Sequence, residues 1–208
     1  MGGTTRWPRL PAFGAGQRIG LFGGSFNPPH AGHRLVSDIA LERLRLDWVW
    51  WLVTPGNPLK DPGALEPLSA RLAEAARIAA HPRIRVTAVE ADIGKSRTRD
   101  TLRYLVRRCP TARFVWLMGA DNLATFHRWH AWREIAETVP IAVIDRPGYG
   151  LAAVASPAAR WMAGRRIDEA DAGRLADLGP PAWVLLHGRR SPLSSTQIRA
   201  TGRRPTSG

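Results

Sequence analysis

The sequence predicts a doubly wound α/β domain with a mostly parallel sheet, and three observations support this class. Short apolar runs alternate along the chain with segments whose apolar residues recur at helical spacing. Runs such as Phe114–Met118 are apolar throughout, as in parallel strands that are covered on both faces. No internal repeat or long low-complexity linker breaks the alternation, and a length of 208 residues suits one domain. Such alternation implies right-handed crossovers that carry helices to both faces of the sheet.

The predicted elements follow the same rule from the first strand to the last helix. The strand Arg18–Phe22 is a short apolar run, and the helix Gly32–Leu44 follows it with apolar residues at helical spacing. Five further strand–helix pairs follow in chain order: Trp48–Val53 with Ser69–Ala80, Ile84–Val89 with Thr98–Arg108, Phe114–Met118 with Trp132–Glu137, Ile141–Ile144 with Pro157–Met162, and Trp183–Leu186 with Ser195–Thr201. Thr54–Pro67 is rich in proline and glycine directly after a strand, which predicts a long functional loop. Ala152–Pro181 predicts helical cover and surface loops.

The most informative segment joins the first predicted strand to the first predicted helix. Residues 23–33 read Gly-Gly-Ser-Phe-Asn-Pro-Pro-His-Ala-Gly-His. The two glycines leave the backbone bare where a ligand could approach, and the two prolines fix the turn before the helix. His30 and His33 are three positions apart, so both project from one side of the first helical turn. Backbone donors, a positive helix end and two imidazoles together predict a phosphate site.

Composition restricts the partners and the compartment. The net charge is +13 and the isoelectric point about 11.5, whereas the hydrophobic fraction of 44% and the charged fraction of 23% are ordinary. So basic a chain favours anionic partners such as nucleic acid, a membrane surface or phosphorylated metabolites. Arginine is spread along the chain, however, so a plain composition effect explains the charge equally well. The single cysteine, Cys109, excludes an internal disulfide and a cysteine-cluster metal site, and it predicts a structural thiol in a reducing compartment.

The ends of the chain predict tails outside a folded domain. Residues 1–17 lack the apolar core of a secretory signal and predict a flexible tail, as do residues 203–208, which leaves 18–202 as the domain. No apolar run approaches the roughly 20 residues needed to cross a bilayer, so no membrane partner is expected. These features predict a cytoplasmic protein.

Several common site motifs are absent from the first loop. Neither Gly-x-x-x-x-Gly-Lys-[Ser/Thr] nor Gly-x-Gly-x-x-Gly occurs there, which disfavours a P-loop NTPase and a dinucleotide-binding domain. Zinc ligation by His30 and His33 would need a third ligand that nothing nearby supplies, so no metal site built by the protein is expected. The structural alternative for the two histidines is helix capping alone.

A second constellation lies near the C-terminus, where Ser191–Arg199 read Ser-Pro-Leu-Ser-Ser-Thr-Gln-Ile-Arg. The hydroxyl groups could simply cap a helix that starts near Thr196. The functional interpretation is a second anion site, with Arg199 one turn into the helix as a forked donor to phosphate oxygens.

Taken together, the two segments resemble the signatures of the nucleotidyltransferase superfamily, (His/Thr)-x-Gly-His and Ser-Ser-Thr-x-Ile-Arg. Within it, the chain is similar to the bacterial nicotinate-nucleotide adenylyltransferases. Three further stretches match that family in order: Thr98–Leu102 as Thr-x-x-Thr-Leu, Gly119–Trp129 as Gly-x-Asp…Trp, and Arg146–Gly148 as Arg-Pro-Gly. The resemblance runs from about Arg18 to Gly202. It implies a single Rossmann-like domain with the second signature as a C-terminal helical segment.

The resemblance implies adenylyl transfer from ATP to nicotinate mononucleotide, which gives nicotinate adenine dinucleotide and pyrophosphate in NAD biosynthesis. A nucleotide phosphate has a second pKa of about 6, so the attacking oxygen is already ionised at neutral pH. No general base is therefore needed, and none is evident. Catalysis then consists of positioning and electrostatic stabilisation. Mg²⁺ is expected as a cofactor held by ATP and water rather than by a protein cage.

The resemblance also implies roles for particular residues. The implied catalytic residues are His30 and His33, which would face the α-phosphate, and Lys60 and Arg199, which would hold the β- and γ-phosphates. The implied ATP site comprises Gly23, Gly24, Ser25, Phe26, His30, Gly32, His33, Asp121, Ser194, Ser195, Thr196 and Arg199. The implied acceptor site comprises Asn27, Thr98, Trp129 and Arg146.

Three of these roles compete with structural alternatives or depart from the family pattern. Asp121, placed at the end of the fourth strand, would accept hydrogen bonds from a ribose, or would cap a helix that begins at Asn122. Trp129 would stack on the nicotinate ring, or would only pack in the core, as expected for Trp48, Trp50, Trp51 and Trp132. Backbone N–H groups near Thr98 would receive the nicotinate carboxylate. Arg97 stands where many members carry an aromatic residue, so the expectation rests on the backbone there.

Other functions stay open at this stage. A phosphopantetheine adenylyltransferase would share the first and last signatures but would not need the Trp129 segment or a carboxylate pocket. A cytidylyltransferase would also share the first signature. A basic nucleic-acid-binding protein on the same fold would bind with a steep salt dependence and would be indifferent to His30 and His33. The expected partners are ATP and nicotinate mononucleotide, with no nucleic acid. The oligomeric state is left between a monomer and a homo-oligomer.

Overall fold

A parallel sheet of six strands forms the centre of the fold, in the order β3-β2-β1-β4-β5-β6. The structure is a computed structural model that describes residues 10–56, 65–145 and 150–187. Its strands are β1 (Arg18–Gly24), β2 (Trp48–Val53), β3 (Ile84–Thr87), β4 (Arg113–Gly119), β5 (Ile141–Ile144) and β6 (Trp183–Leu186). The strand order reverses between β1 and β4, which is the switch point of a doubly wound sheet.

The helices fill the connections between the strands. They are α1 (Ala31–Arg43), α2 (Leu68–Ala79), α3 (Val89–Asp92), α4 (Thr98–Arg108), α5 (Ala120–Thr125), α6 (Trp132–Thr138), α7 (Gly150–Val154) and α8 (Pro157–Trp161). The described residues also include stretches of 3-10 helix at Phe126–Arg128, Ala163–Arg165 and Glu169–Asp177. The predicted α/β class is confirmed, and so are all six strands. The predicted helix Ser195–Thr201 lies outside the described residues.

One predicted strand is too long. The sequence predicted a strand over Ile84–Val89, but β3 ends at Thr87 and Val89 begins the short helix α3. Val89 is almost fully buried in the core, so in the sequence its apolar side chain looks like a continuation of the strand. The helices predicted in chain order did not include α5 and α7, which have six and five residues, although one interpretation of Asp121 had a helix begin at Asn122.

Alternate residues of the central strands point into two cores, one on each face of the sheet. Trp50, Trp116 and Trp183 belong to one core, which α4, α5 and α6 cover. Trp51 and Leu117 belong to the other, which α1 and α2 cover. Cys109 is also buried in the first core, and burial raises the pKa of its thiol, as expected for a structural cysteine.

Part of the predicted N-terminal tail packs on the domain. Phe13 contacts the ring of Trp50 edge-on, with ring centroids 6.0 Å apart, and Gln17 accepts a hydrogen bond from Trp48 Nε1 at 3.0 Å. The domain boundary at Arg18 stays a prediction. Among the residues that the structure describes, no helix has the length and apolar character that a membrane span requires.

Candidate active site

The candidate site lies at the carboxyl ends of β1 and β4. These two strands pair in parallel at the centre of the sheet, with Phe22 opposite Leu117. Because the strand order reverses between them, their carboxyl ends frame the crevice in which doubly wound sheets bind ligands. The loop with the two histidines leaves β1 at this edge, and Asp121 follows β4 at the same edge.

His30 and His33 together form the start of α1. His30 is the N-cap residue and is only 1% exposed, and its Nδ1 accepts the N–H of Gly32 at 3.1 Å. His33 Nδ1 accepts the N–H of His30 at 3.2 Å, and the two ring centroids are 3.9 Å apart. A neutral imidazole that accepts at Nδ1 carries its proton on Nε2. Both rings therefore have an Nε2–H donor at one helix end, which confirms that they share the first turn and shows that they also cap it.

His33 is held by an aromatic cluster on the α1 side of the sheet. Phe26 stacks on Trp51 with centroids 4.8 Å and planes 14° apart, and it also meets the ring of His33 at 4.8 Å. Phe26 has a φ of 45°, which is uncommon for a residue other than glycine, and its ring is 1% exposed. Trp51 Nε1 donates to Ser37 Oγ at 2.7 Å, and Ser37 Oγ donates to the carbonyl of His33 at 3.0 Å. Packing and hydrogen bonds thus restrict the position of His33.

The glycine at the end of β1 has a packing role that the sequence did not predict. A Cβ atom on Gly23 would lie 2.5 Å from Cη2 of Trp116 on the neighbouring strand. Real Cβ contacts are longer than this, so Gly23 allows the tryptophan of β4 to lie against β1. Its contact with a ligand stays a prediction.

Arg71 holds two loops of the site together, and the sequence analysis did not single it out. It lies on α2 and is 2% exposed. Its guanidinium donates to the carbonyls of Ser25 (2.7 Å), Thr54 (2.8 Å), Glu66 (2.8 Å) and Pro55 (3.3 Å). It therefore ties the loop after β1 to the loop after β2. Burial lowers the pKa of Arg71.

A sequence signal for Arg71 did exist. Arg71, Ala75 and Ala79 are spaced by four residues and are the buried face of α2. An arginine on an otherwise apolar helix face indicates a buried hydrogen-bonding role. The neighbouring Asn27, predicted to bind substrate, is 6% exposed, and its Oδ1 accepts the N–H of Glu66 at 3.2 Å. Asn27 thus helps to hold the same junction.

Asp121 belongs to a helix rather than to a strand. β4 ends at Gly119, which is the N-cap of α5, and α5 begins at Ala120. The prediction that Asp121 ends the strand is therefore wrong, and so is the alternative that it caps a helix begun by Asn122, because the chain turns directly from strand into helix. Asp121 Oδ1 is buried and has no hydrogen-bond partner among the described residues. Such an oxygen is suited to accept a hydrogen bond from a ligand.

The two predicted contacts to the acceptor base, Thr98 and Trp129, belong to the face of the sheet that α4, α5 and α6 cover. Trp129 is half-buried and meets Phe126 edge-on, with centroids 5.4 Å apart. Thr98 is the first residue of α4, and the preceding Arg97 makes no side-chain cap. The N–H groups in the first turn of a helix have no partner within the helix, so this end can receive an anion. The packing roles predicted for Trp50 and Trp51 are confirmed by their complete burial.

Several buried polar atoms without a partner among the described residues lie near this edge of the sheet. Among the described residues they include Thr87 Oγ1 and Glu90 Oε2 near the end of β3, Asp121 Oδ1 after β4, and Asp145 Oδ1 after β5. Buried polar atoms in folded proteins nearly always have a partner. Of these atoms, Asp121 Oδ1 and Asp145 Oδ1 follow central strands at their carboxyl ends, where they are suited to accept hydrogen bonds from a ligand.

The described side chains do not form a metal-binding site of their own. Within residues 10–56, 65–145 and 150–187, no three His, Cys, Asp or Glu side chains lie close enough together to hold a metal ion. Single carboxylates such as Asp121 fit a hard cation that is bound mostly through substrate phosphates and water.

Hydrogen bonds hold His187, the last described residue before the second signature. His187 follows β6 directly, and Glu169 accepts its N–H at 2.9 Å and lies 2.7 Å from its Nδ1. Arg43 Nη2 lies 3.0 Å from the same carboxylate. Partial burial acts to raise the pKa of Glu169, but the hydrogen bonds from His187 and the charge of Arg43 outweigh it and lower the pKa. The predicted site residues Lys60, Arg146, Ser194, Ser195, Thr196 and Arg199 lie outside the described residues.

Comparison with known proteins identifies the family. The family model described as cytidylyltransferase-like matches residues 21–201. A protein of Methylorubrum extorquens named probable nicotinate-nucleotide adenylyltransferase is 62% identical over 182 residues, which cover 88% of this chain and 98% of the relative. A protein of the same name from Bradyrhizobium is 59% identical over 182 residues, covering 88% of this chain and 95% of the relative.

The fold is also similar to a solved structure. The Plasmodium falciparum nicotinic acid mononucleotide adenylyltransferase complexed with NaAD superimposes with a TM-score of 0.66 at 18% identity, over 88% of this chain and 83% of that chain. At this identity the likeness supports the α/β architecture alone. The family model and the close relatives decide the assignment: the chain belongs to the cytidylyltransferase-like nucleotidyltransferases and, among them, to the nicotinate-nucleotide adenylyltransferase family.

Proposed function

We propose that this chain transfers the adenylyl group of ATP to nicotinate mononucleotide and so makes nicotinate adenine dinucleotide and pyrophosphate. Its family membership supports this reaction. The structural observation that carries the proposal is the pair of Nε2–H donors on His30 and His33, at a helix N-terminus and at the switch point of the sheet. Donors and a positive helix end at one point favour a phosphate whose negative charge grows during reaction.

In the proposed reaction, a phosphate oxygen of nicotinate mononucleotide attacks the α-phosphorus of ATP. A new P–O bond forms as the bond from the α-phosphorus to the bridging oxygen of the β-phosphate breaks, and pyrophosphate leaves with that electron pair. No proton has to be removed from the attacking oxygen, because it is ionised at neutral pH. His30 and His33 would donate to the α-phosphate oxygens and the bridging oxygen, where charge develops.

The second signature would complete the ATP site. Lys60 and Arg199 would hold the β- and γ-phosphates, with Ser194, Ser195 and Thr196 as additional donors. Adjacent strands are about 4.8 Å apart, so β6 lies about 14 Å from β1 across the sheet. The seven residues 188–194 can extend to about 23 Å, so the chain has the length to return to the site.

The acceptor would bind between β4 and α4. Trp129 would stack on the nicotinate ring, and backbone N–H groups near Thr98 would receive its carboxylate. Asn27 and Arg146 would make further contacts with the acceptor. An amide at the same place would bring its own N–H donors against these donors, so the acid should be preferred. Asp121 would accept hydrogen bonds from the hydroxyl groups of a ribose.

We propose Mg²⁺ as the accompanying ion, because a metal bound mainly by ATP fits a site without a cluster of protein ligands. When bound, Mg²⁺ would neutralise phosphate charge, held mostly by ATP and water. A cytoplasmic location is part of the proposal, and the single buried thiol of Cys109 is compatible with it.

A pyrophosphate-release assay with ATP, Mg²⁺ and a small set of acceptors tests the proposal. The acceptors are nicotinate mononucleotide, nicotinamide mononucleotide and phosphopantetheine, and a parallel measurement follows binding to duplex DNA at two salt concentrations. We expect pyrophosphate release with nicotinate mononucleotide to be the most efficient. Preferential release with phosphopantetheine, or DNA binding without any release, would reject the proposed function.

A further inference from the structure

Glu90 is a buried carboxyl group that the proposed reaction does not use. It lies in α3 just after β3 and is 5% exposed. Its Oε1 accepts a hydrogen bond from Thr101 Oγ1 at 3.0 Å, whereas its Oε2 has no hydrogen-bond partner among the described residues. Burial raises the pKa of Glu90 above its ordinary value, although the hydroxyls of Thr54 and Thr101 act in the opposite direction.

Stability alone does not explain a carboxyl group at this place. A buried carboxylate loses its hydration, and the neutral hydroxyls of Thr101 and Thr54 do not replace it. A glutamine would fill the same volume and accept the same hydrogen bond without the penalty for the charge. A carboxylate differs from an amide mainly in being the stronger acceptor, since hydrogen bonds to charged groups are roughly twice as strong.

The acceptor strength matters because Thr101 has a choice of partners. Its hydroxyl has one proton, and two acceptors are within reach: Glu90 Oε1 at 3.0 Å and the carbonyl of Arg97 at 3.3 Å. The same Arg97 carbonyl also accepts the N–H groups of Asp100 at 3.0 Å and of Thr101 at 3.1 Å. Glu90 therefore competes with the Arg97 carbonyl for the hydroxyl proton of Thr101. That carbonyl also accepts the N–H groups of the first turn of α4.

Thr101 is also the link between Glu90 and the helix start. It is completely buried, one turn into α4, so its side chain has little freedom to move. Arg97 supplies no side-chain cap, so no capping hydrogen bond from that residue fixes the start of α4. The hydrogen bond from Thr101 to Glu90 joins this turn to the segment that follows β3.

We propose that Glu90 is a positioning residue for the acceptor nucleotide: through Thr101 it fixes the first turn of α4, so that the N–H groups of Thr98 and Arg99 point at the anionic group of the acceptor base. This inference rests on the proposed function, which assigns the nicotinate carboxylate to that helix end. It adds a residue that contacts no substrate but sets the affinity for one of the two substrates.

The test compares Glu90→Ala, Glu90→Gln, Thr101→Val and the double variant Glu90→Ala/Thr101→Val with the wild type. Glu137→Gln is the matched control, because Glu137 is an exposed glutamate on α6. Each protein is assayed for the KM of each substrate in pyrophosphate release, for the Kd of nicotinate mononucleotide by calorimetry, and for the midpoint of thermal unfolding.

We expect Glu90→Ala and Thr101→Val each to raise the KM and Kd for nicotinate mononucleotide about tenfold, the effect of one hydrogen bond to a charged group. The KM for ATP should change less than about twofold, and the double variant should resemble either single variant, because both remove one interaction. Glu90→Gln should raise the KM by about threefold, since an amide oxygen is the weaker acceptor, without lowering the unfolding midpoint. This separation of affinity from stability is a result that a merely structural role would not produce.

Unchanged affinity for nicotinate mononucleotide in Glu90→Gln and Thr101→Val would overturn the inference, even if Glu90→Ala failed to fold. An equal rise in KM for both substrates, together with a lower unfolding midpoint, would overturn it too. A wild-type protein that forms no dinucleotide would instead reject the proposed function. An active wild type with unaffected variants rejects only the role of Glu90.

Discussion

Replacing Arg71 by leucine should loosen the junction between the two loops that frame the candidate site. One guanidinium donates to four backbone carbonyls at 2.7, 2.8, 2.8 and 3.3 Å, and the residue is 2% exposed. Each hydrogen bond to a charged group contributes about 1.5–3 kcal/mol. Release of the buried charge offsets part of that loss, since burial already acts against the charged form and lowers the pKa of Arg71.

The carbonyls left behind are neutral, and each one that stays buried without a donor costs about 1–3 kcal/mol, so a net cost of about 3–5 kcal/mol remains. For a protein of this size, 1 kcal/mol corresponds to about 2–4 °C in the unfolding midpoint, so Arg71→Leu should lower it by about 6–20 °C. The unfolding midpoint of Arg71→Lys should lie between those of the wild type and Arg71→Leu, because an ammonium group has three donors and no planar fork. The KM for ATP should rise in parallel, since Ser25 in the phosphate loop loses its donor.

The measurement is thermal unfolding by circular dichroism, with the KM for ATP determined below the transition. Arg77→Leu is the matched control, because Arg77 lies on the same helix, half exposed, with one ion pair to Glu74 at 3.7 Å. Its effect should stay within about 1 kcal/mol, as for other surface ion pairs. An Arg71→Leu protein that unfolds at the wild-type temperature would refute the argument that this guanidinium holds the two loops together.

Four further predictions address the chemistry and the buried charges. His33→Ala should lower kcat by about 10²–10³-fold with the fold retained by circular dichroism, because one donor to the developing charge is lost; near-normal turnover would reject its role. Trp129→Ala should raise the KM for nicotinate mononucleotide about threefold to tenfold and spare ATP, given a stacking contribution of about 0.5–1.5 kcal/mol; a higher KM for ATP alone would put Trp129 on the wrong substrate. Nicotinamide mononucleotide should be used far less efficiently than the acid in steady-state assays, and equal efficiencies would contradict the carboxylate site at Thr98. Glu90→Gln should match the wild-type free energy of unfolding below pH 4.5, the ordinary pKa of a glutamate, and exceed it at higher pH. The sign follows because the folded wild type binds the proton more tightly than the unfolded chain and so loses stability as the pH rises through the raised pKa; denaturant titrations that give equal pH profiles would contradict it.

The regular part of the fold was predictable from the sequence because the sheet is parallel and covered on both faces. β2, β5 and β6 have the predicted bounds, since each is a continuous apolar run that ends at a polar residue: Thr54, Asp145 and His187. α4 also has the predicted bounds, from Thr98 to Arg108. The start of α5 was harder to predict than that of α8, because α5 turns directly out of β4 with no capping side chain, whereas Ser156 caps α8.

The site was predictable only where its residues are close in sequence. The pairing of His30 with His33 follows from helical spacing. Arg71 lies about 46 residues from Ser25, and Glu90 lies 11 residues from Thr101, so neither contact leaves a local pattern. Such contacts depend on how the connections fold back over the sheet edge, which side-chain periodicity does not encode.

The central claim is that an ionised phosphate displaces pyrophosphate from ATP directly, with histidines as donors and no covalent intermediate. The most direct test supplies ATP labelled at the α-phosphate with nicotinate mononucleotide and Mg²⁺, and follows the label by chromatography. The account predicts that the label moves into nicotinate adenine dinucleotide, with one pyrophosphate released for each dinucleotide and no label on the protein. Label that stays in ATP, appears as AMP, or becomes attached to the polypeptide would contradict it.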